Sequence, residues 1–430
     1  MDGNTALVDD EATGLRRSSA DSPGLGLTAS DHARRRAGRM TVAMMTPWDQ
    51  QCGNAEYAKR LVAGLEQFAT VVPFDMQNFI DQDRRIGWGE MNAYFRDLVG
   101  RVNRCDADII HLQHEFCFFA RRLGPSNCRF ADVMRRLKKP VVVSLHTWLR
   151  SMSPTQRRRT TSQQWANVLH RLRNRHISSA LRRAAAIVLH SQETHKLFVE
   201  AYPDLKKRVH VVPIPIERVA SAGVKPPFVK SSRDAWVMIP GFVSRYKGHG
   251  HMLAALQHLP ESYKLVVAGG VHPKDKNGGD YWRDLIQQAD VWGLQSRILF
   301  TGFLNDPASQ AAMLEQADVF LLPYDEVGQS GSAVLADALS FDKPVITSRA
   351  RSMFVYRMDK DTAFSSIAVD VGDPKALATV IRSCIRGEDT HYPEMSAQRA
   401  IARKRYCLEH TQAAYERVYR EALSGGQARC

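Results

Sequence analysis

Short apolar runs alternate with longer segments of mixed polarity along most of this chain. The first six runs begin at Thr41, Thr70, Asp108, Pro140, Ala186 and Val209. The segments between them have the composition and length of helices. Because strands of a parallel sheet are buried on both faces, they read as nearly continuous apolar runs. The pattern therefore predicts a parallel β-sheet with helices on both faces.

The same alternation starts again after a proline-rich connection. Residues 213–234 contain four prolines and several small residues, which is typical of a linker. Five further apolar runs follow, beginning at Trp236, Tyr263, Arg297, Asp318 and Pro344. A length of 430 residues is compatible with two domains. We therefore predict an α/β protein with two Rossmann-like, doubly wound domains that face a central cleft.

The predicted domain boundaries follow from these shifts in composition. Residues 1–39 are rich in small and charged residues and are predicted to be a flexible tail. The first domain is assigned to residues 40–220 and the second to residues 221–395. The remainder, residues 396–430, contains a single helical pattern over residues 396–423.

Composition indicates the cellular compartment expected for the chain. It has no apolar run long enough to span a membrane, and no apolar core follows a basic start at its N-terminus. The seven cysteines have neither paired spacing nor a zinc-site pattern, which favours reduced thiols. We therefore expect a cytoplasmic protein.

The net charge of +14 is concentrated in one stretch. Residues 133–192 contain thirteen Lys and Arg and no Asp or Glu. Such a stretch is most often a solvated face, but it also fits peripheral contact with an anionic membrane. An apolar stripe from Trp165 to Leu172 has the spacing of an amphipathic helix and equally of a core helix. No nucleic-acid motif accompanies the charge, so no nucleic-acid partner is expected.

Ligands of open α/β sheets bind beyond the carboxyl ends of the strands. In the first half, Gly53 lies between a strand and a helix, where backbone amides can approach a phosphate or simply form a tight turn. His114 and His146 follow successive strands. A single histidine is usually structural, but two at one sheet edge favour ligand contact.

Two cations stand at the corresponding position in the second half. Arg245 and Lys247 precede Gly248 and a predicted helix. An Arg fork and a Lys point charge suit a diphosphate leaving group, although two exposed cations would produce the same pattern.

A loop of small residues follows the strand that begins at Asp318. Ser330, Gly331 and Ser332 lie at the start of the next predicted helix and could present amides and hydroxyls. Asp337 lies about two turns further on, where a carboxylate can hold both ribose hydroxyls or simply face solvent.

Taken in order, these pieces resemble the retaining family-4 glycosyltransferases of GT-B fold. The resemblance covers about residues 40–425 and rests on "CGNAEYAKRL", "DIIHLQHEF", "SLHTW", "VVPIPIE", "GFVSRYKG", "RILFTGFL", "LLPYDEVGQSGSAVLADAL" and "KPVITS". It implies transfer of a sugar from a nucleotide-activated donor bound mainly to the C-terminal half. The acceptor would bind the N-terminal half, and the last helix would cross back to the first domain.

The resemblance also implies roles for individual residues. Gly53 would lie near the donor diphosphate, His114 and His146 would line the reaction centre, and Lys247 would pair with the diphosphate. The sugar and phosphates would be held by Ser330, Gly331, Ser332, Val334 and Leu335. Asp337 would hold the ribose.

The chain departs from the family pattern at two positions. The family's two glutamates, with seven residues between them, appear here as Gln329 and Asp337. Gln329 can hydrogen-bond a sugar but cannot ionise, so it is not a carboxylate nucleophile. Phe242 follows Gly241 where the family has a phosphate-binding Arg, and Arg245 is the expected substitute.

These features together predict a retaining, metal-independent hexosyltransferase of polysaccharide or glycolipid biosynthesis. Its nucleotide diphosphate sugar would be a co-substrate, and no cofactor is expected. The acidic pairs at residues 81–83 and 106–108 do not fall at suitable strand ends for a metal site. The alternatives are a nucleotide-sugar epimerase of the same architecture and a catalytically weak nucleotide-sugar-binding protein. A dehydrogenase is disfavoured because Gly53 lacks the other glycines of a dinucleotide fingerprint.

Overall fold

The computed structural model describes most of the chain. The described ranges are residues 39–48, 52–76, 87–120, 123–148, 174–271, 278–304, 306–357, 360–363, 365–388 and 392–427. The predicted tail up to residue 38, the acidic pair at residues 81–83 and residues 149–173 of the basic stretch lie outside these ranges.

Two six-stranded parallel sheets form the framework, as the apolar runs predicted. The first has the order β2-β1-β3-β4-β5-β6. Its strands are Met40–Thr46 (β1), Ala69–Asp75 (β2), Ile109–His114 (β3), Val141–Leu145 (β4), Ala186–Leu189 (β5) and Val209–Val211 (β6). Every residue of β3, β4 and β5 is buried, which explains why β4 and β5 are almost entirely apolar, whereas β3 also buries His111, Gln113 and His114.

The second sheet has the order β12-β11-β10-β7-β8-β9. Its strands are Ala235–Pro240 (β7), Tyr263–Ala268 (β8), Ile298–Phe300 (β9), Val319–Leu322 (β10), Val345–Thr347 (β11) and Ile367–Ala368 (β12). The sequence did not predict β12, because a two-residue edge strand is too short to produce a recognisable run.

Helices connect the strands of both sheets. They are Gly53–Leu65 (α1), Trp88–Arg104 (α2), Leu123–Arg136 (α3), Gln192–Ala201 (α4), His249–Leu256 (α5), Gly278–Val291 (α6), Pro307–Glu315 (α7), Ala333–Ser340 (α8), Pro374–Arg386 (α9), Tyr392–Arg405 (α10) and Leu408–Gln427 (α11). Residues 174–183 are also helical. Short 3₁₀ turns occur at Phe116–Phe118, Pro203–Arg208, Arg245–Lys247, Gln295–Arg297 and Arg351–Phe354. Several helices begin after a residue whose side chain accepts a first-turn amide, namely Ser191, Asp306, Ser332 and Asp373.

The single helix predicted over residues 396–423 is two helices in the structure. Helix α10 ends at Arg405 and α11 begins at Leu408. The break frees the carbonyl of Tyr406, which accepts a hydrogen bond from the amide of Ile216 at 2.8 Å. The prediction of a continuous helix was therefore wrong, because the connection between the domains takes up a backbone acceptor at this point.

One apolar cluster contains residues of both sheets. It includes Met44 and Val142 from the first sheet with Met238 and Phe320 from the second. Helix α11 joins it through Tyr415, so the C-terminal end of the chain packs on the first domain. Within the described residues, no helix is both long and apolar enough to cross a membrane.

Candidate functional site

The loop of residues 325–332 closes onto the carboxyl end of β4 in the opposite domain. The amide of Trp148 donates to the carbonyl of Gly328 at 2.8 Å, and the amide of Ser330 donates to the carbonyl of His146 at 2.8 Å. Between them, Thr147 and Gln329 form an antiparallel bridge. The two domains are thus joined here by backbone hydrogen bonds, and we call residues 145–148 with 328–331 the seam.

Close packing at the seam explains the glycine at position 331. A Cβ added to Gly331 would lie 2.9 Å from the Cβ of His190 and 3.1 Å from the Cδ1 of Ile214. The sequence explained Gly331 by the approach of a ligand to its amide. The structure adds a second reason, because any side chain would push the domains apart.

Hydroxyl groups in the loop are already engaged. Ser330 Oγ donates to the carbonyl of Leu145 at 2.7 Å, and Ser332 Oγ accepts from the amide of Leu335 at 3.2 Å. Ser332 is therefore the N-cap of α8. The amides of Ser330 and Leu335, which the resemblance assigned to the sugar and phosphates, both have protein acceptors in this arrangement.

Glu326 and Arg351 hold the loop in shape. The carboxylate of Glu326 accepts from the amides of Gly328 and Arg351, each at 2.6 Å. Arg351 Nη2 lies 3.3 Å from Glu326 Oε1 and also donates to the carbonyl of Trp148 at 3.3 Å. The same pair therefore shapes the loop and ties it to the first domain.

A buried cation lies beside the loop. The Nζ of Lys247 hydrogen-bonds the hydroxyl of Tyr324 and lies 4.3 Å from the centroid of its ring. Lys247 is only 4% exposed. Burial lowers the pKa of its ammonium to about 7, and the nearby Asp337 carboxylate partly opposes that shift. The site therefore holds a lysine poised between its charged and neutral forms at neutral pH.

Gly241 makes room for this lysine. It has φ +91°, and an added Cβ would lie 3.1 Å from both Lys247 Nζ and Val334 Cγ2. Val334 thereby lies next to the cation, as its predicted role in the same site requires.

Asp337 reaches across to the first domain. Its Oδ1 lies 2.7 Å from Nη1 of Arg60 on α1, and the carboxylate is the main cause of the raised pKa of Arg60. The two residues are 277 positions apart. No signal in the sequence singled out Arg60, which was not among the predicted site residues.

His146 lies on the other side of the seam among buried rings. Its Nε2 is 2.6 Å from Oε1 of Gln113. Its ring centroid is 4.9 Å from that of His190 and 5.4 Å from that of Tyr57. Burial, followed by the neighbouring histidines, holds the pKa of His146 well below its usual value, so the ring is neutral.

Two family models match the chain, and together they cover most of it. The model described as Glycosyltransferase Family 4 matches residues 60–218. The model described as Glycosyl transferases group 1 matches residues 235–386. The chain belongs to the family-4 glycosyltransferases. The matched ranges contain the two sheets' central strands and both sides of the seam.

A curated relative of this glycosyltransferase is the D-inositol 3-phosphate glycosyltransferase of Xylanimonas cellulosilytica. The two are 24% identical over 258 residues, which span 57% of this chain and 58% of the relative. Among solved structures, Anabaena HepE in complex with UDP-glucose has a TM-score of 0.62 at 18% identity and covers 89% of this chain and 100% of its own. Sucrose-phosphate synthase from Thermosynechococcus elongatus has a TM-score of 0.63 at 15% identity, with 90% and 100% covered. These structural likenesses establish the GT-B fold.

The structure of the glycosyltransferase joins His114 and His146 through the backbone, where the amide of His146 donates to the carbonyl of His114 at 3.1 Å, but it places their side chains on opposite faces of the sheet. His114 is paired in register with Leu145, so it shares that residue's face of the sheet, and His146 points to the other face. The ring of His114 packs against Phe130 and Phe119, with 4.3 Å and 5.4 Å between the ring centroids. Neither ring nitrogen has a partner among the described residues, and burial lowers the pKa of His114 to about 3. The sequence analysis predicted His114 at the reaction centre because the residue lies at the end of a strand. The sequence did not show on which face of the sheet its side chain lies.

The side chain of Arg245 lies at the surface, whereas that of Lys247 is buried. Its side chain is 70% exposed, and its Nη2 lies 3.5 Å from Asp284. The guanidinium stacks over the Tyr281 ring at 4.9 Å. It therefore contacts α6, and its expected role as a substitute for the family's phosphate-binding Arg stays a prediction. Phe242, at the family's Arg position, packs edge-on against Phe303.

Gly53 is the exposed first residue of α1, and an added Cβ would meet nothing within 4 Å. Its backbone is thus open to a ligand, although no close contact requires a glycine. The preceding Cys52 caps the helix through its sulfur, which accepts from the amide of Ala55.

Glu115 is a site residue that the sequence reasoning missed. Its carboxylate accepts from the hydroxyl of Thr147 at 2.6 Å and from the amide of Phe116 at 3.0 Å. Burial raises the pKa of Glu115 to about 7. Its position directly after His114 at the end of β3 was the signal that could have identified it.

Acidic pairs do not build a metal centre in the described part of the chain. Asp108 Oδ2 accepts from the amide of Thr41 at 2.7 Å, which is a structural role at the start of a strand. Within the described ranges no group of three or more His, Cys, Asp or Glu residues is arranged to hold a metal ion.

Proposed function

We propose that this glycosyltransferase moves a hexose from a nucleoside diphosphate sugar to a hydroxyl of a glycan, lipid-linked or small-molecule acceptor, with retention of configuration. The observation that carries the proposal is the buried Lys247, which hydrogen-bonds Tyr324 and whose pKa, lowered by burial, is partly raised by the charge of Asp337, next to the loop that closes the seam. A buried cation beside a ribose-binding carboxylate is suited to a nucleoside diphosphate. The likeness to HepE, solved with UDP-glucose, makes uridine diphosphate sugars the first donors to test.

Lys247 acts on the leaving group. As the glycosidic bond breaks, negative charge accumulates on the diphosphate, and a buried ammonium stabilises that charge more strongly than a solvated one. The lysine must be protonated for this role. Because burial lowers its pKa to about 7, the incoming diphosphate draws a proton onto Lys247 and so completes the site.

Donor entry requires the seam to rearrange. The amide of Ser330 must leave the carbonyl of His146 before it can bind a phosphate or sugar oxygen. Asp337 must likewise exchange Arg60 for the ribose hydroxyls. Opening and closing of the two domains therefore accompanies each turnover and can limit its rate.

The acceptor hydroxyl attacks from the face that the diphosphate leaves. Gln329 is at the centre of the seam through its bridge with Thr147, where its amide can hydrogen-bond a sugar hydroxyl. The side-chain amide of Gln329 does not ionise, so it cannot attack the sugar as a carboxylate and form a glycosyl ester. The transfer therefore uses no protein nucleophile: the acceptor oxygen bonds to the anomeric carbon as the bond to the diphosphate breaks, and the acceptor proton passes to the departing phosphate oxygen. The charge of the diphosphate is met by Lys247 and backbone amides without a metal ion.

A panel of nucleoside diphosphates and their sugars tests the donor assignment by thermal shift, because a ligand that binds the native state raises its apparent stability. With the donor so identified, Lys247→Ala should lose transfer and donor hydrolysis by about 100-fold or more while the protein stays folded. The matched control is Lys264→Ala, a lysine whose Nζ donates to the carbonyl of Ser296 at 3.1 Å at the surface of the second sheet. Equal turnover in both variants would remove Lys247 from the mechanism.

The other two functions predicted from the sequence make different products. An epimerase would isomerise the donor in the absence of any acceptor, whereas a transferase would at most hydrolyse it slowly. A binding protein would show a thermal shift without turnover across many acceptors. Chromatography of the donor incubated with and without acceptors separates the three.

We also propose peripheral contact with an anionic membrane through residues 133–192. Part of the described charge in this segment is neutralised, since Arg135 and Arg136 pair with Asp132 and Arg182 pairs with Asp204. The remaining cations would hold vesicles containing anionic lipid. Co-sedimentation should weaken as salt rises from low to physiological strength, and binding that ignores lipid charge would contradict the proposal.

A further inference from the structure

A buried hydrogen-bond chain runs from the last helix to His146. Its members come from both ends of the chain, and each is less than 5% exposed: Tyr57, His111, Gln113, Ser144, Tyr415 and Tyr419. None of them was predicted from the sequence as a site residue. In a buried network every donor needs an acceptor, so the position of each proton can be worked out.

The contacts are short and continuous. His111 Nδ1 lies 2.7 Å from the hydroxyl of Tyr419, and His111 Nε2 lies 2.8 Å from Ser144 Oγ. His111 Nε2 also lies 3.3 Å from Nε2 of Gln113. On its other side, Gln113 Oε1 lies 2.6 Å from His146 Nε2.

Proton counting from Gln113 orders the chain in one direction. An amide nitrogen only donates, so the facing His111 Nε2 must accept, and the single N–H of this neutral ring is at Nδ1, donating to Tyr419. An amide oxygen only accepts, so His146 Nε2 must carry the N–H. His146 Nδ1 is then the unprotonated nitrogen.

The orientation of one amide decides between two opposite arrangements. If the Gln113 amide were flipped, His111 would donate through Nε2, and His146 would carry its proton on Nδ1. The observed orientation places the nitrogen 3.7 Å from Met44 Sδ, a weak acceptor that suits an N–H and not a carbonyl oxygen. Burial keeps both imidazoles neutral, with the pKa of His111 at about 3, so neither ring donates from both nitrogens.

We propose that Gln113 is a positioning residue that holds His146 as its Nε2–H tautomer, leaving Nδ1 to accept a hydrogen bond from a substrate hydroxyl. Tyr419 of α11 supports this arrangement by accepting a hydrogen bond from the Nδ1–H of His111. The part that concerns substrate rests on the proposed glycosyl transfer. The part that concerns the tautomer does not, because it describes the protein without ligand.

Nitrogen-15 NMR of the histidine-labelled full chain reads the tautomer directly. The His146 signals are assigned by their disappearance in His146→Asn. We expect the wild-type ring to be protonated at Nε2 and not at Nδ1. A wild-type ring protonated at Nδ1 would overturn the proposal, whether or not the protein transfers sugar.

Gln113→Leu and Gln113→Glu test the role of the amide. Leucine removes the acceptor, so the Nδ1–H form of His146 should become detectable. Glutamate keeps an acceptor oxygen facing His146 but replaces the N–H that faces His111 with a second oxygen. His146 should therefore stay protonated at Nε2, while the proton of His111 should move to its own Nε2. An unchanged spectrum in a folded Gln113→Leu variant would show that the amide does not control the tautomer.

Tyr419→Phe tests the far end of the chain. Without the hydroxyl, His111 loses the acceptor of its Nδ1–H, and we expect a mixture of His146 tautomers. A single Nε2–H tautomer in this variant would remove Tyr419 from the proposal.

Kinetics then connect the tautomer to transfer. Gln113→Leu should lower kcat by about tenfold or more with the donor KM nearly unchanged, since the interaction is made with the reacting substrate. A raised donor KM with unchanged kcat would instead indicate a structural effect on donor binding. If Lys247→Ala abolishes transfer and the His146 spectrum shows the wrong tautomer, only the proposal for Gln113 fails.

Discussion

Arg60 of the first domain and Asp337 of the second form an ion pair across the cleft, with 2.7 Å between Nη1 and Oδ1. Asp337 is the carboxylate that the family resemblance assigns to the ribose. In this closed arrangement the residue expected to hold a nucleotide is thus occupied by a protein cation. The pair therefore opposes both opening of the domains and entry of a nucleotide.

Replacing Arg60 should make nucleotide binding tighter. In Arg60→Gln the nucleoside diphosphate no longer displaces a cation, and we expect the Kd to fall about two- to fivefold, which corresponds to a partly exposed ion pair of ~0.5–1 kcal/mol. Titration calorimetry measures the change. The control is Lys59→Gln, the neighbouring residue on α1, which pairs at 3.9 Å only with the exposed Glu56. Weaker binding in Arg60→Gln would mean that Arg60 itself contacts the nucleotide.

Gly331 should tolerate no side chain. In Gly331→Ala the new Cβ would lie 2.9 Å from the Cβ of His190, so the seam must open. We expect a loss of ~1–3 kcal/mol in the free energy of unfolding, as for other overpacked positions. Urea denaturation provides the measurement.

The matched control for this glycine is Gly279→Ala in α6, where an added Cβ meets nothing within 4 Å. A helical Gly-to-Ala change there should raise stability by ~0.5–1 kcal/mol. If Gly331→Ala unfolds at the same urea concentration as the wild type, the seam is not a close contact in solution.

Acidification should destabilise the protein below about pH 6.5. Burial lowers the folded-state pKa to about 3 for His111, His114 and His249 and to about 4 for His190. In the unfolded chain these rings protonate near their ordinary value of about 6.5. The unfolded state therefore binds more protons between the two pKa values, and stability falls as pH falls, by ~1.4 kcal/mol per pH unit for each histidine.

His114 offers a specific check of this pH dependence. Its ring has no hydrogen-bond partner among the described residues and packs against aromatic rings, so His114→Leu should fold and should lose one histidine's share of the slope. The exposed His258→Gln is the control and should keep the full slope. Denaturation midpoints at pH 7.5 and 5.5 decide the matter, and an equal slope in all three proteins would contradict the assignment.

Binding of a nucleoside diphosphate should take up a proton at Lys247. Burial lowers the pKa of this residue to about 7, and an adjacent diphosphate raises it. Affinity should therefore fall as pH rises above 7, approaching about tenfold per pH unit. Calorimetry in buffers of different ionisation enthalpy counts the proton. Lys247→Met should bind weakly with no proton uptake, and uptake that persists in that variant would point to another group.

Local patterns in the sequence were enough to predict both sheets and the loop of small residues that follows β10. Parallel strands buried on both faces are mostly apolar, so eleven of the strands were recognisable one at a time. Lys247, the loop of residues 325–332 and Asp337 were recognisable for the same reason, because each lies directly after a strand or in the helix that follows it. The family resemblance rested on these local motifs.

Tertiary structure alone decided how these parts meet. The sequence predicted that His114 and His146 share a sheet edge, but the pairing of β3 with β4 places their side chains on opposite faces. Arg60 meets Asp337, and Tyr419 meets His111, only because the domains and the last helix come together across hundreds of residues. A strand or a helix N-cap depends on residues a few positions away, so it can be predicted from a short stretch of sequence. An ion pair, or the position of a proton in a buried hydrogen-bond chain, depends on which groups from distant parts of the sequence are buried against each other. Those contacts form only when the domains pack together.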